Sequence, residues 1–191
     1  MFEKFFKKKP PGLEEQLEQL RACGVRLLPA ATPEALLEAW SQADFDAAPF
    51  LLAATALGGD SPPLSENLWH FDTECIEDHG AYVAIAERFR DLANGDLPLV
   101  AIEDYVDVEE GEAWLAFTLE GTEHRWTCEV SDDWVDPTLM TRFAELLAGR
   151  RTAHRFTYLD TGGQDCIIGC FTEDELKRLQ KATGLEWKWL A

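Results

Sequence analysis

The sequence predicts an α+β domain, a largely antiparallel sheet built from hairpins with helices packed on one side. Runs of alternating apolar and polar residues come in pairs joined by short turns, which is typical of hairpins. Single segments of helical periodicity separate those pairs, which favours an α+β arrangement over a parallel sheet. With 46% hydrophobic residues among 191, the chain has enough apolar material for the core of one domain.

We expect this domain to have a small helical N-terminal part. A basic and aromatic arm covers 1–12, a helical subdomain 13–57, a loop rich in Gly and Pro 58–67, and an α+β core 68–191. The arm is short for a membrane-surface anchor, and no apolar run approaches the roughly 20 residues that span a bilayer. We therefore expect no stable membrane insertion.

Leucines at helical spacing predict the first helix, which begins at Leu13 and ends before Gly24. A short strand is expected over 25–28. Thr32 then precedes a proline at the first position of a second helix. The apolar run over 50–57 fits either a helix or a buried strand.

The second helix should bury one face made of Leu36, Leu37 and Trp40. In the core, a helix is expected over about 79–93, or from near Thr73 if a glycine is tolerated inside it. An extended segment over 97–108 follows that helix.

The most specific strand prediction is a hairpin of residues 113–119 and 124–130 with a tight turn between them. In this register Leu115 lies opposite Trp126, so the hairpin has one apolar face. Trp114 then lies on its polar face.

Asp136 and Pro137 predict the start of the next helix, as its N-cap and first helical residue. Thr172 and Glu175 form a capping box at the start of the last helix. The alternation over 185–190 predicts a closing strand after it.

Between these two helices, a second hairpin should join 154–159 to 166–171. If its turn is the pair of adjacent glycines, Asp160 faces Asp165 across the strands, and like charges in that position destabilise a hairpin. A metal, a basic partner or another register would relieve the repulsion. Hydrogen bonds from either carboxylate to the loop backbone are the simpler explanation.

The chain is strongly acidic, since 36 Asp and Glu against 17 Lys and Arg give a net charge of −19. Such a chain repels phosphate backbones, which argues against nucleic-acid binding. The basic, aromatic start lacks the apolar stretch of a secretory signal. We therefore expect a cytoplasmic protein whose five cysteines are free thiols.

Potential metal ligands are dense over 70–79, which holds two His, one Cys and four carboxylates. On a helix beginning near Thr73, a Cys and a His four residues apart would share one face, a spacing that can bind zinc. Cys166 and Cys170 would complete a Cys₃His site, whereas helix capping explains the same carboxylates without a metal. The metal candidates are His70, Cys75, His79, Asp160 and Asp165. Because catalytic and phosphate-binding motifs are lacking, we assign no catalytic residue and no cofactor.

Acidic residues with aromatic side chains among them form a candidate docking surface for a basic protein. Carboxylates accelerate the encounter with a Lys- or Arg-rich partner, and an exposed ring supplies an anchor. The candidate partner-binding residues are Asp104, Asp107, Glu109, Glu110, Trp114, Asp132, Asp133 and Trp134. The alternative is that Trp134 packs beneath the next helix and the acids are only solvated.

These observations predict an acidic cytoplasmic binding protein that neutralises a basic protein partner, such as a cognate toxin. In small size, acidity and lack of catalytic motifs, its profile is similar to that of bacterial immunity proteins, although no motif matches residue by residue. Two alternatives stay open. One is a metal-dependent hydrolase that uses the His70–His79 cluster, and the other is a structural or regulatory domain.

Overall fold

The computed structural model describes residues 10–59 and 63–191, which form seven helices and seven strands. Residues 1–9 of the predicted arm and 60–62 of the predicted loop lie outside the described residues. The helices are α1 (Leu13–Cys23), α2 (Pro33–Leu37), α3 (Gln42–Ala47), α4 (Leu51–Leu57), α5 (Ala81–Leu92), α6 (Leu139–Ala148) and α7 (Glu173–Thr183). The strands are β1 (Leu68–Asp72), β2 (Leu99–Asp107), β3 (Glu112–Leu119), β4 (Thr122–Cys128), β5 (Arg155–Asp160), β6 (Asp165–Phe171) and β7 (Lys188–Trp189).

The strands form two antiparallel sheets, which confirms the predicted α+β class. One sheet has four strands in the order β1-β6-β5-β7, and the other has three in the order β2-β3-β4. The β3–β4 hairpin has the predicted register, with Leu115 opposite Trp126. Its alternation and its turn specify the same pairing, and for that reason the prediction was correct.

Each face of the four-stranded sheet covers a separate core. Along β6, Cys166, Ile168 and Cys170 enter the core that α5, α6 and the second sheet share. Ile167 and Phe171 enter the core that α1 to α4 and α7 line. Helices therefore supply side chains to both faces of this sheet, whereas we expected them on one side.

The N-terminal helices follow their capping signals. Gly24 ends α1 in the left-handed conformation, with φ +112°, and the Thr32 side chain accepts a hydrogen bond from the Ala35 amide at the start of α2. The apolar run over 50–57 forms the helix α4, which begins at Leu51. The predicted strand over 25–28 is wrong, because this segment forms only an isolated bridge between Leu27 and Ser65.

Three more local predictions need correction. In α2, Leu36 is buried, but Leu37 and Trp40 are 42% and 36% exposed, since the helix ends after five residues. Helix α5 covers Ala81–Leu92, close to the expected 79–93, so only its alternative start near Thr73 is wrong. The closing strand shrinks to the two residues of β7.

The start of α6 is also displaced from its prediction. Asp136 does accept hydrogen bonds from the Thr138 amide and hydroxyl, at 2.7 and 2.6 Å, but regular helix begins only at Leu139. Asp136 thus caps a turn that leads into the helix. Among the described helices, none is long and apolar enough to cross a membrane.

Candidate partner-binding surface

The connection between β1 and α5, residues 73–80, brings two distant acidic segments together. The Ile76 amide donates to the Asp133 carbonyl at 2.9 Å, and the Val135 amide donates to the Thr73 carbonyl at 2.9 Å. Glu74 and Trp134 form an antiparallel bridge between these bonds. The acidic residues of 74–78 therefore lie beside the segment 131–135.

The same connection also contacts β2. The amides of Gly80 and Val83 donate to the Asp104 carboxylate at 2.8 and 3.1 Å. Asp104 thus satisfies free N–H groups at the start of α5, where a negative charge is favourable. We predicted Asp104 as a partner-binding residue from its charge alone, and its carboxylate is engaged in this internal cap.

His79 lies against β2 rather than on a helix. Its Nδ1 accepts a hydrogen bond from the Val106 amide at 3.2 Å, and its ring is 4.9 Å from the Tyr105 ring. Cys75 lies in the connection outside α5, half-buried. The expectation that Cys75 and His79 share a helical face is therefore wrong, because α5 begins after both.

An aromatic stack continues across the outer face of the three-stranded sheet. Tyr105 and Trp114 pair across β2 and β3, with ring centroids 6.2 Å apart and planes at 11°. The Arg125 guanidinium lies 3.7 Å above the Trp114 ring. Trp114 is on the outer face, as predicted, but Arg125 and Tyr105 leave it only half-exposed.

Trp134 presents a more open aromatic surface, since it is 41% exposed. Its amide donates to the Ser131 carbonyl at 3.1 Å, and its backbone pairs with Glu74. Asp132 adopts φ +55°, a left-handed conformation that Asp tolerates better than most residues. The ring is thus held on a short hydrogen-bonded loop between carboxylates and does not pack away beneath α6.

We define the acidic surface by the carboxylates of the 74–78 connection, of the end of β2 with the β2–β3 turn, and of the loop before Trp134. It consists of Glu74, Glu77, Asp78, Asp107, Glu109, Glu110, Asp132 and Asp133. Within the described residues, none of these carboxylates forms an ion pair with a Lys or Arg side chain. Asp78 lies 3.3 Å from His79 Nδ1, the nitrogen that accepts from the Val106 amide. The charge of Asp107, aided by burial and by Glu112, raises the pKa of Tyr105. The direction of this shift is that expected where carboxylates lie close to a phenol, since they disfavour its negatively charged form.

The remaining metal candidates lie at one end of the four-stranded sheet. His70 on β1 and Asp165 on β6 approach to 2.5 Å between Nε2 and Oδ2, and this hydrogen bond holds the pKa of Asp165 below its usual range. Asp160 is opposite Cys166 rather than Asp165, and its carboxylate accepts from the Gly162 amide at 2.8 Å. The predicted Asp160–Asp165 repulsion is therefore wrong, and the loop hydrogen bond explains Asp160.

The four residues of the proposed zinc site are not brought together. Cys166 and Cys170 share one face of β6, where burial raises the pKa of each thiol to about 12. Over residues 10–59 and 63–191, no group of three or more His, Cys, Asp or Glu side chains has an arrangement that could hold a metal ion.

The sequence did not indicate that Glu74 and Glu77 belong with Asp132 and Asp133. The hydrogen bonds that join their segments link residues about sixty positions apart, and no local pattern encodes them. Comparison of the chain with family models, curated proteins and solved structures gives no match. The functional conclusion therefore rests on the geometry of the site.

Proposed function

We propose that this chain is an acidic cytoplasmic binding protein that neutralises a basic protein partner by covering it, as a toxin inhibitor of the immunity-protein type does. The observation that carries the proposal is Trp134, exposed on a hydrogen-bonded loop and flanked by carboxylates that have no cation beside them among the described residues. Aromatic residues surrounded by complementary charge are typical centres of protein interfaces.

The charges and the ring would serve different steps of binding. Unpaired carboxylates speed the encounter with a cationic partner, and this effect is screened by salt. The indole would leave water on docking and so slow dissociation. Asp104 is excluded from the contacting set, because its carboxylate caps α5.

A kinetic experiment with a synthetic lysine-rich peptide tests the charge effect. We expect the association rate to fall about tenfold or more between about 0.01 M and 1 M salt. The triple variant Glu77→Gln, Asp132→Asn and Asp133→Asn should lose most of this dependence. Asparagine suits position 132 because it also tolerates a positive φ.

The matched control removes the same number of charges elsewhere, through Glu18→Gln, Glu38→Gln and Glu186→Gln, all of which are exposed. It should associate at nearly the wild-type rate. Equal losses in both triple variants would mean that net charge, rather than this surface, attracts the peptide. That result would contradict the proposal.

A second experiment tests neutralisation and the role of the ring. A partner captured at low salt should be a basic protein, should lose its own activity in the complex, and should dissociate faster from Trp134→Ala. Trp40→Ala is the control, since Trp40 is similarly exposed but lies on the helical N-terminal part. A captured partner that stays fully active in the complex would refute neutralisation.

A further inference from the structure

A small pocket opens beside the acidic surface, where the edge strand β1 faces α5. Its volume is about 280 Å³. Four of its residues recur at helical spacing on α5, three belong to β1, and one belongs to the connection that follows β1. They are Ala81, Ala84, Ile85 and Arg88, then Trp69, Phe71 and Asp72, then Cys75.

The size and lining of the pocket limit what it accepts. Sites for drug-sized ligands and cofactors commonly enclose about 300–1,000 Å³, so this pocket is small for a nucleotide. Trp69, Phe71 and Ile85 are at most 5% exposed and provide apolar, partly aromatic walls. The pocket therefore suits a single apolar side chain.

The charges around the pocket opening determine which residues can flank that side chain in the partner's sequence. Asp72 is exposed at the rim, and the chain continues into Glu74, Glu77 and Asp78 of the acidic surface. The cation among the lining residues is Arg88, whose guanidinium donates to the Leu68 carbonyl at 3.0 Å. Arg88 keeps its positive charge in this contact, so the negative charges that attract a cationic partner are those of the rim and of the acidic surface. An apolar group whose chain neighbours carry positive charges fits these surroundings.

We propose that this pocket receives one aromatic or branched aliphatic side chain of the basic partner, with Lys or Arg residues on either side bound to the acidic surface. This inference rests on the proposed function and adds the partner's recognition motif to it. In many interfaces, one side chain buried in a pocket contributes much of the binding energy, and the charged residues around it accelerate the encounter of the two proteins.

Two lysine-rich peptides, identical except for Phe or Ala at the centre, test the pocket. Wild type should bind the Phe peptide about tenfold more tightly, because one side chain is buried. Ala84→Trp, at an exposed position of α5 that lines the pocket, should fill it and bind both peptides alike. Ala22→Trp, exposed on α1, is the matched control and should keep the preference.

Alkylation of Cys75 gives a second measurement that needs no variant. Cys75 lines the pocket and is half-buried, whereas the other four cysteines are buried. The Phe peptide should slow alkylation of Cys75 more than the Ala peptide does. Equal protection by both peptides would contradict the inference.

The outcomes separate this inference from the proposed function. If both peptides bind wild type equally and with steep salt dependence, the pocket is not the anchor site and the proposed function stands. If neither peptide binds, the proposed function fails as well. Self-association of wild type that Ala84→Trp abolishes would identify the occupant as a second copy of this chain and overturn the inference.

Discussion

Two groups of carboxylates in this protein differ in what surrounds them. Asp96, Asp136 and Asp165 each accept a hydrogen bond from another side chain of the protein, and each has a lowered pKa. The members of the acidic surface form no ion pair with a Lys or Arg side chain in the described part of the chain. The first group stabilises the fold, whereas the second adds repulsion that a bound cationic partner would relieve.

This difference shows that a count of acidic residues does not locate function. Asp104 lies in the acidic tract by sequence but belongs with the stabilising group, because it caps α5. Substitutions in the two groups should therefore have opposite effects on the free energy of unfolding.

The largest expected effect on stability is that of Asp136→Ala. Asp136 is only 3% exposed, and it accepts from the Thr138 amide, the Thr138 hydroxyl and the Glu129 amide. Burial alone would raise the pKa of Asp136, but these hydrogen bonds lower it. We expect the free energy of unfolding in urea to fall by about 3 kcal/mol, since the donors lose a charged acceptor.

Glu77→Ala is the control for Asp136→Ala, because Glu77 is exposed and belongs to the acidic surface. It should change the free energy of unfolding by no more than about 0.5 kcal/mol. Similar losses in the two variants would remove the distinction between the groups.

A smaller effect, which depends on pH, is expected for Asp165→Asn. The hydrogen bond with His70 lowers the pKa of Asp165 in the folded protein. A lowered carboxyl pKa adds stability above the unfolded pKa, and this contribution disappears as the pH falls through the folded pKa. The variant should be about 1 kcal/mol less stable than wild type at neutral pH, and the gap should close as the pH falls below about 4.

Asp160→Asn on the same hairpin provides the comparison for Asp165→Asn. Its carboxylate is exposed and accepts only from the Gly162 amide among the described residues. Denaturation at several pH values should show a small and nearly constant difference from wild type. A gap for Asp165→Asn that widens in acid would show that the sign assigned to this pair is wrong.

The sequence predicted the elements whose signals are local. The β3–β4 register follows from alternation within sixteen residues, and the capping box of Thr172 and Glu175 follows from a spacing of three. Both depend on residues that meet as soon as the element forms. Local agreement of this kind is the strongest information that a single sequence holds.

Long-range pairing could not be predicted in this way. Strand β1 was missed because its partner β6 is far along the chain, and the His70–Asp165 contact joins residues 95 positions apart. At the site, the sequence did indicate Trp134 and the neighbouring carboxylates of Asp132 and Asp133 as candidate binding residues. It did not indicate their bridge to Glu74 or the engagement of Asp104 by α5, since both depend on the tertiary fold.

Neutralisation of the acidic surface should raise stability slightly. In the triple variant Glu77→Gln, Asp132→Asn and Asp133→Asn, no ion pair of the described residues is broken and mutual repulsion is reduced. We expect the free energy of unfolding at low salt to rise by about 0.5 kcal/mol, with the gain disappearing at high salt. A loss of more than about 1 kcal/mol would place these carboxylates with the stabilising group.

The smallest predicted effect compares the two tryptophans of the region. Arg125 covers Trp114 at 3.7 Å, whereas Trp134 is 41% exposed. Because an exposed cation–π contact contributes about 0.5 kcal/mol, Arg125→Ala should lower the free energy of unfolding by about that amount. It should also make Trp114 more accessible to acrylamide quenching, and this gain should vanish in Arg125→Ala combined with Trp114→Phe. If quenching does not change, Tyr105 and the sheet are sufficient to cover Trp114, and Trp134 is still the more open anchor of the acidic surface.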